Sequence, residues 1–310
     1  MKEVFVIIFI ILIFIILLYF FGYNIYSCDK NSSIKRLSKF LNINDVLLCY
    51  YYDDDKLEKY NKNIFISHKN NYFISNKYFL WETLNNFYGT DIAKTITPMT
   101  FVIPKDYDKY KKTAIGKKMI FKQNTHRQEG LFVTNKIQSL DFLEDQEFIV
   151  GQEFIGNSLE YKKQKLSFRM YLIIGCVNNV LEDYIYKDGL VYYGKGDIAS
   201  FYESGNAYKK NPIIVSDLEK TMNIKIRNLM IDKLKLLVDS IRNNFCSLSQ
   251  DHKKYKFYEL YGVDFQITNN FDCYILEVNS GPGMDPNDSR DKFLRDDLMK
   301  FYSNILSKNK

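Results

Sequence analysis

Three hundred and ten residues, 46% apolar and 16% aromatic, suffice for one large domain or two to three small ones around a sizeable core. Lysine and arginine exceed the acids by 43 to 37, and this +6 balance favours acidic partners. It falls short of a nucleic-acid-binding composition, since no basic block carries interleaved aromatics. The five cysteines (Cys28, Cys49, Cys176, Cys246, Cys273) are scattered, without CxxC or Cys/His spacing. They indicate neither a disulfide framework nor a zinc site, and a reducing compartment fits them best.

In chain order, Val4 to Phe21 is an uncharged apolar run of 18 residues, at the lower edge of what spans a bilayer as a helix. It reads as a single-pass membrane anchor. A cleaved signal peptide is the lesser alternative, because Gly22-Tyr23-Asn24-Ile25-Tyr26 offers no small-x-small site. Lys30, Lys35, Arg36 and Lys39 follow the run and only Lys2 precedes it, which would put the remainder in the cytoplasm. Tyr19, Tyr23 and Tyr26 stand where an interfacial aromatic belt would lie.

A strand is expected over 45–52, ending in the acidic turn Asp53-Asp54-Asp55. A helix is expected over 76–87, capped by Asn76, with Phe79, Leu80, Thr83, Leu84 and Phe87 on one face. The proline-bracketed segment 97–104 is extended, and the lysine-rich stretch 105–118 reads as a domain boundary. Strands 119–122 and 131–134 flank a polar loop over 123–130. A helix near 138–145 and a strand at 147–155 follow. Next come a strand at 166–177, a hairpin around Asp188-Gly189 and a Gly/Ser/Asn-rich loop over 194–211. A long helical pattern, 216–245, is interrupted near Asn223, and an amphipathic helix closes the chain from Asp291.

The chemistry concentrates in Tyr258 to Gly283, YELYGVDFQITNNFDCYILEVNSGPG. A hairpin turning at Asn270-Phe271 places Asp264 opposite Glu277. Strand alternation then puts Asn279 on the same face, with Val263, Phe265, Leu276 and Val278 on the other. Two like charges so close call for a cation between them, and an all-oxygen set suits Mg²⁺ on nucleotide phosphates. The same pattern also suits a half-exposed amphipathic hairpin with solvated carboxylates. Over 165–175, KLSFRMYLIIG, alternation gathers Lys165, Ser167 and Arg169 on one face, opposite Leu166, Phe168, Met170 and Leu172. No Ser/His or Cys/His pair is evident, and His68, His126 and His252 have no motif partners.

The ordered series TPMTFVIP (97–104), MIFKQNTHRQEGLFV (119–133), FIVGQEFI (148–155), KLSFRMYLIIG (165–175) and FYELYGVDFQI…YILEVNSGPGM (257–284) resembles the tubulin tyrosine ligase-like family of ATP-grasp ligases. The resemblance runs from about residue 75 to the end. It implies an α/β (α+β) ATP-grasp fold, here with the N-terminal transmembrane helix and a small N-terminal α/β domain. The implied divisions are 1–29 anchor, 30–105 N-terminal domain, 106–155 central domain and 156–310 C-terminal domain.

By the same resemblance ATP and Mg²⁺ are the cofactors. Lys122 would meet the α/β-phosphates, and Gly130 would allow the turn that closes a loop over them. Gln152, Glu153, Phe154 and Ile155 would line the adenine, with Lys77 a further phosphate contact. Asp264, Glu277 and Asn279 would hold the metal. Arg169, with Lys165, would stabilise the transferring phosphoryl group. A free amino acid would be joined to the carboxylate of an acidic protein or peptide tail, tubulin being one candidate.

Departures from the family bear on the acceptor. Ser167 replaces the acid of a K-x-D-x-R strand, and Tyr192 and Tyr193 stand where an arginine is expected. The phosphate loop has one glycine, and a His-Leu-Thr-Asn segment is missing. A ligase or kinase with a small-molecule acceptor, or an ATP-binding pseudoenzyme tethered to a membrane, are the alternatives.

Overall fold

The computed structural model describes residues 26–27, 32–41, 46–48, 64–66, 72–124, 130–194, 210–246, 256–286 and 288–308. The chain opens with β1 (Tyr26–Ser27), α1 (Ser32–Leu37), β2 (Val46–Leu48), β3 (Ile64–Ile66), α2 (Tyr72–Ser75), α3 (Lys77–Tyr88) and α4 (Thr90–Ile96). A smaller unit follows, made of β4 (Thr100–Val102), α5 (Tyr107–Thr113), β5 (Met119–Gln123), β6 (Leu131–Thr134), α6 (Leu140–Asp145) and β7 (Phe148–Glu153). The rest is β8 (Glu160–Tyr161), β9 (Gln164–Val177), β10 (Val180–Tyr193), α7 (Val215–Met222), α8 (Arg227–Ile241), β11 (Lys256–Ile267), β12 (Cys273–Ser280) and α9 (Ser289–Lys308).

These strands form two sheets, as an α+β ATP-grasp-like fold requires. The small sheet runs β4-β7-β5-β6 and is antiparallel throughout. In the large sheet the order is β1-β2-β3-β11-β9-β10, with β12 also on β11 and β8 on β9. Its centre is antiparallel, whereas β1, β2 and β3 extend it in parallel.

Strand β9 is buried on both faces, which explains its near-continuous apolar run. Leu166, Phe168, Met170 and Leu172 pack with Leu80, Trp81 and Leu84 of α3 and Met230 and Leu234 of α8. Tyr171 and Ile173 pack on the opposite face with Leu294, Leu298 and Tyr302 of α9. The small sheet has its own core of Phe101, Tyr110, Met119, Phe121, Leu143 and Phe148.

Local chemistry accounts for the boundaries. Asn76 caps α3 by accepting from the Tyr78 N–H at 3.0 Å. Trp81, not Phe87, completes its buried face, and Phe87 is exposed. The break near Asn223 is real: that residue adopts φ 53° and ends α7 before α8 begins. The stretch 105–118 holds a helix, α5, whose Tyr110 is fully buried against Phe101 and Phe121. Its lysines had masked that single buried face.

The hairpin expected at Asp188-Gly189 lies ten residues earlier. Asn178 and Asn179 both take positive φ (52° and 63°), as a tight two-residue turn between β9 and β10 demands. Asp188 closes a bulge within β10 that lies between Ile185 and Gly189, and its carboxylate accepts from the N–H groups of Gly189 and Ser216.

Two further expectations are corrected. Cys176 at the end of β9 and Cys246 just beyond α8 form a disulfide, with Cα atoms 5.6 Å apart, so the cysteines do not all read as reduced. Seventy residues separate them in sequence, and only the packing of α8 on the sheet brings them together.

The transmembrane helix is also withdrawn: among the described residues no helix is long and apolar enough to cross a membrane. The run 4–21 itself lies outside the described residues. Eighteen residues at about 1.5 Å each give roughly 27 Å, at the lower limit for a hydrocarbon core of about 30 Å. The single-pass localisation, the cytoplasmic orientation and the membrane partner rested on that helix and fall with it.

Candidate functional site

The expected Asp264–Glu277 pairing is present. Tyr261, Gly262, Val263 and Asp264 of β11 oppose Ser280, Asn279, Val278 and Glu277 of β12. A bulge in β12 then places one extra residue, Leu276, between Ile275 and Glu277, so that Phe265 opposes Ile275 and Leu276 has no partner in the ladder. Ile275 with Val278, and not Leu276, therefore enters the core. Asp264 is buried, and Glu277 and Asn279 are half-buried.

Arg169 lies directly across from Asp264 on β9. Its Nε donates to Asp264 Oδ1 at 2.6 Å and its Nη2 to Oδ2 at 2.7 Å, a bidentate pair with side chains 14% and 4% exposed. Asn279 Nδ2 adds a third bond to Asp264 Oδ2 at 3.1 Å. Burial alone would drive the Arg169 guanidinium toward neutrality. Asp264 and the neighbouring Tyr192 outweigh it and hold the arginine charged. Burial pushes the Asp264 carboxyl above the ordinary aspartate range, with Arg169 and Asn279 acting against that rise and Glu277 adding to it.

Two glycines make room for this arginine. A Cβ on Gly262 would meet Pro282 at 2.9 Å and Arg169 Cδ at 3.2 Å, and one on Gly189 would strike the Arg169 carbonyl oxygen at 2.3 Å. Tyr192, buried opposite Ser167, puts its ring 5.7 Å from the guanidinium carbon. Aromatic surface thus lies on the strand where the family resemblance leads one to expect an arginine.

Two lysines approach from the other side. Lys77, the first residue of α3, sets its Nζ 3.8 Å from Glu277 Oε1. Lys122 of β5 projects from the face of the small sheet opposite Met119 and Phe121, toward Lys77 and Glu277. Its Nζ donates to Gln152 Oε1 at 2.7 Å. Burial, with help from the like charge of Lys77 and against Glu277, lowers the Lys122 ammonium to about 8.

Lys77, Lys122, Gln152, Arg169, Asp264, Glu277 and Asn279 therefore converge from α3, both strands of the hairpin, β9 and the small sheet. Other expected positions stand apart from this cluster. Lys165 shares the Arg169 face of β9 two pleats toward its start, beside Gly194, whose N–H donates to the Lys165 carbonyl. Glu153 pairs with Lys117 at 2.9 Å. Phe154 stacks under Lys118 at 4.6 Å. Glu153 and Ile155 line a groove of about 880 Å³ together with Met99, Lys117 and Tyr274.

Gly130 has φ 65°, as a turn into β6 requires, while 125–129, with His126, lie outside the described residues, as do His68 and His252. Among the described residues no three His, Cys, Asp or Glu side chains gather as a metal cluster. The set here is two carboxylates and an amide.

Sequence reading missed a second buried ion pair beneath the first. Arg295 and Asp291, one turn apart on α9, bond to each other, and Arg295 also donates to the Gly283 carbonyl just beyond β12. The i, i+4 spacing in an otherwise apolar stripe was the available signal. Tyr171, with its hydroxyl buried and unpartnered, lies within electrostatic reach of both arginines.

Residues 55–197 and 199–307 match the tubulin-tyrosine ligase family. The chain is 26% identical over 250 residues to the human "Probable tubulin polyglutamylase TTLL2", an alignment taking in 70% of this chain and 41% of that protein. It is 25% identical over 257 residues to the mouse protein of the same name, covering 72% and 46%. Identity to "Tubulin polyglutamylase ttll-4" of Caenorhabditis briggsae is 24% over 272 residues, covering 76% and 44%. The chain thus spans less than half the length of these relatives. The family match over most of its length nonetheless assigns it: this chain belongs to the tubulin-tyrosine ligase family.

Proposed function

We propose that this protein is an ATP-dependent carboxylate–amine ligase that joins an amino acid to the carboxylate of an acidic protein or peptide. The observation that carries this reading is the convergence of Asp264, Glu277 and Asn279 with Lys77, Lys122 and Arg169. Carboxylates for a metal and cations for phosphates meet there between two sheets. The donor set fits a hard divalent ion: Asp264 and Glu277 face each other across one ladder, and Asn279 follows on the same face. When bound, Mg²⁺ would offset the negative charge of the nucleotide phosphates there.

The chain's own residues then have distinct tasks. Lys122 and Lys77 would fix the phosphates of ATP. Arg169 would face the phosphoryl group as it passes to the substrate carboxylate, giving an acyl-phosphate and ADP. An amine then attacks the acyl carbon, forming the amide and releasing phosphate. Positioning and fixed charge supply the acceleration, so no side-chain nucleophile is required. The tubulin polyglutamylases among the relatives make tubulin the first acceptor to try, and the +6 balance would favour any acidic tail. Ser167 and Tyr192, both buried and paired across β9 and β10, make this side of the site less charged than the family pattern implies, which motivates trying other acidic peptides as well.

The test is ADP release by the full chain with Mg-ATP and mixed amino acids, with and without tubulin. Release that needs both an amino acid and a protein or peptide acceptor supports a ligase. ATP binding without release under any acceptor would replace this reading with that of a nucleotide-binding pseudoenzyme.

Lys122 gives a pH signature. Its folded value lies near 8, below the ordinary 10.5, so the charged form is penalised in the fold. That penalty is full below pH 8 and disappears between 8 and 10.5. Phosphates select the charged form, so ATP affinity is expected to fall as pH rises through 8, by up to about tenfold per unit. Titrating ATP into the protein from pH 7 to 9.5 checks this. Lys122→Met should bind more weakly and show a flat profile over that range.

A further inference from the structure

Gln152 belongs to the stretch that the family resemblance assigns to the adenine, yet its side chain faces another task. Thr100, Gln152 and Ile120 stand side by side across β4, β7 and β5, two residues from Lys122 along its strand. The Thr100 hydroxyl donates to the Pro98 carbonyl at 2.8 Å. Its proton thus spent, the Thr100 oxygen accepts from Gln152 Nε2 at 2.9 Å. That bond fixes which end of the amide is which, and turns Oε1 toward Lys122 Nζ at 2.7 Å. Gln152 and Thr100 are 5% and 2% exposed, so no water competes freely for either partner.

We propose that the Pro98–Thr100–Gln152 relay is the positioning device of Lys122: it holds the ammonium toward the nucleotide cleft through a neutral acceptor that leaves the charge intact. This rests on Lys122 being the phosphate lysine argued above. An ammonium has three N–H donors, so one bond to Gln152 aims it while two remain for phosphate oxygens. A carboxylate at 152 would aim it equally well but cancel the charge that the phosphates need. An apolar side chain would keep the shape yet leave the cation without an acceptor in a buried setting, where it sheds its proton more readily. Gln is thus the residue type that orients without neutralising. Thr100 supplies the second condition, because without its oxygen the amide could turn its NH₂ to Lys122 and repel it.

The test is direct observation of Lys122 by NMR, with ε-¹³C-labelled lysine in the full chain and Lys122→Met to assign the signal. Gln152→Glu is expected to raise the Lys122 titration midpoint by more than one pH unit, and Gln152→Leu to lower it. Thr100→Val, which keeps the shape of the side chain and retains Gln152, should also lower it. In parallel, ATP affinity should weaken at least tenfold in Gln152→Glu, through charge cancellation, and in Gln152→Leu at pH 8, through proton loss.

A Lys122 midpoint that stays within a few tenths of a pH unit in both Gln152→Glu and Thr100→Val overturns the relay. Should the midpoints move as expected while Lys122→Met binds ATP normally, the relay stands and the assignment of Lys122 to phosphates fails. The two readings are therefore separable.

Discussion

Glu277→Gln is expected to cut ATP turnover by about a hundred- to a thousandfold or more while leaving the fold intact. The substitution keeps the shape of the side chain and removes one of the two opposed carboxylates. Glu277 is about one-third exposed at its side chain, and its nearest ion-pair partner is Lys77 at 3.8 Å, so little packing depends on its charge. Stability should change by no more than about 0.5 kcal/mol, as for other substitutions that disturb neither core nor network. ADP release and a urea melt on the same preparation measure both. Turnover within threefold of the parent would remove Glu277 from the metal-binding set and, with it, the main support for a metal–nucleotide site on this hairpin.

The largest stability effect is expected at Arg169. Arg169→Met leaves Asp264 buried with only the Asn279 amide as partner, and breaking a buried pair from one side costs about 3–5 kcal/mol. Replacing both partners, as Arg169→Met with Asp264→Asn, removes the stranded charge and should recover a large part of that loss while activity stays absent. Urea unfolding of the parent, the two single variants and the double variant yields the coupling energy directly. A loss below about 1 kcal/mol in Arg169→Met would mean that the pair is far better solvated than its exposure implies.

Much of the site was legible because it sits on strands. A period of two is unambiguous within a hairpin, so Asp264, Glu277 and Asn279 could be placed on one face and Arg169 on the polar face of its own strand, whereas the pairing of β9 with β11 that sets Arg169 against Asp264 is not carried by spacing. What the spacing could not supply was the bulge after Asp264, which exchanges Ile275 for Leu276 in the core and depends on a count of ladder bonds. The Asn178-Asn179 turn was passed over in favour of Asp188-Gly189, although both dipeptides accept positive φ. Only the length of β9 and β10 decides between them.

Gln152 and Thr100 are 52 positions apart in sequence, and the Cys176–Cys246 pair 70 apart. Contacts of that range arise from how sheets and helices pack, which no local pattern carries. Conversely, the apolar run at 4–21 had a strong local signature, but length alone left it marginal for a span.

Helix α1 has a bearing on where this protein can be cut. The family match begins at residue 55, yet Ile34, Leu37 and Leu41 lie in the same apolar cluster as Leu294, Leu298 and Tyr302 of α9. Ser303 donates to the Phe40 carbonyl, and Arg36 bridges Asp296 and the carbonyl of Met284, in the loop that follows the Glu277–Asn279 strand. The evolutionary unit and the cooperative unit therefore have different edges. A fragment trimmed to the family boundary would uncover an oily stripe along its last helix and slacken the segment behind the hairpin, so it should melt earlier and aggregate more readily than one that begins upstream of Ser32.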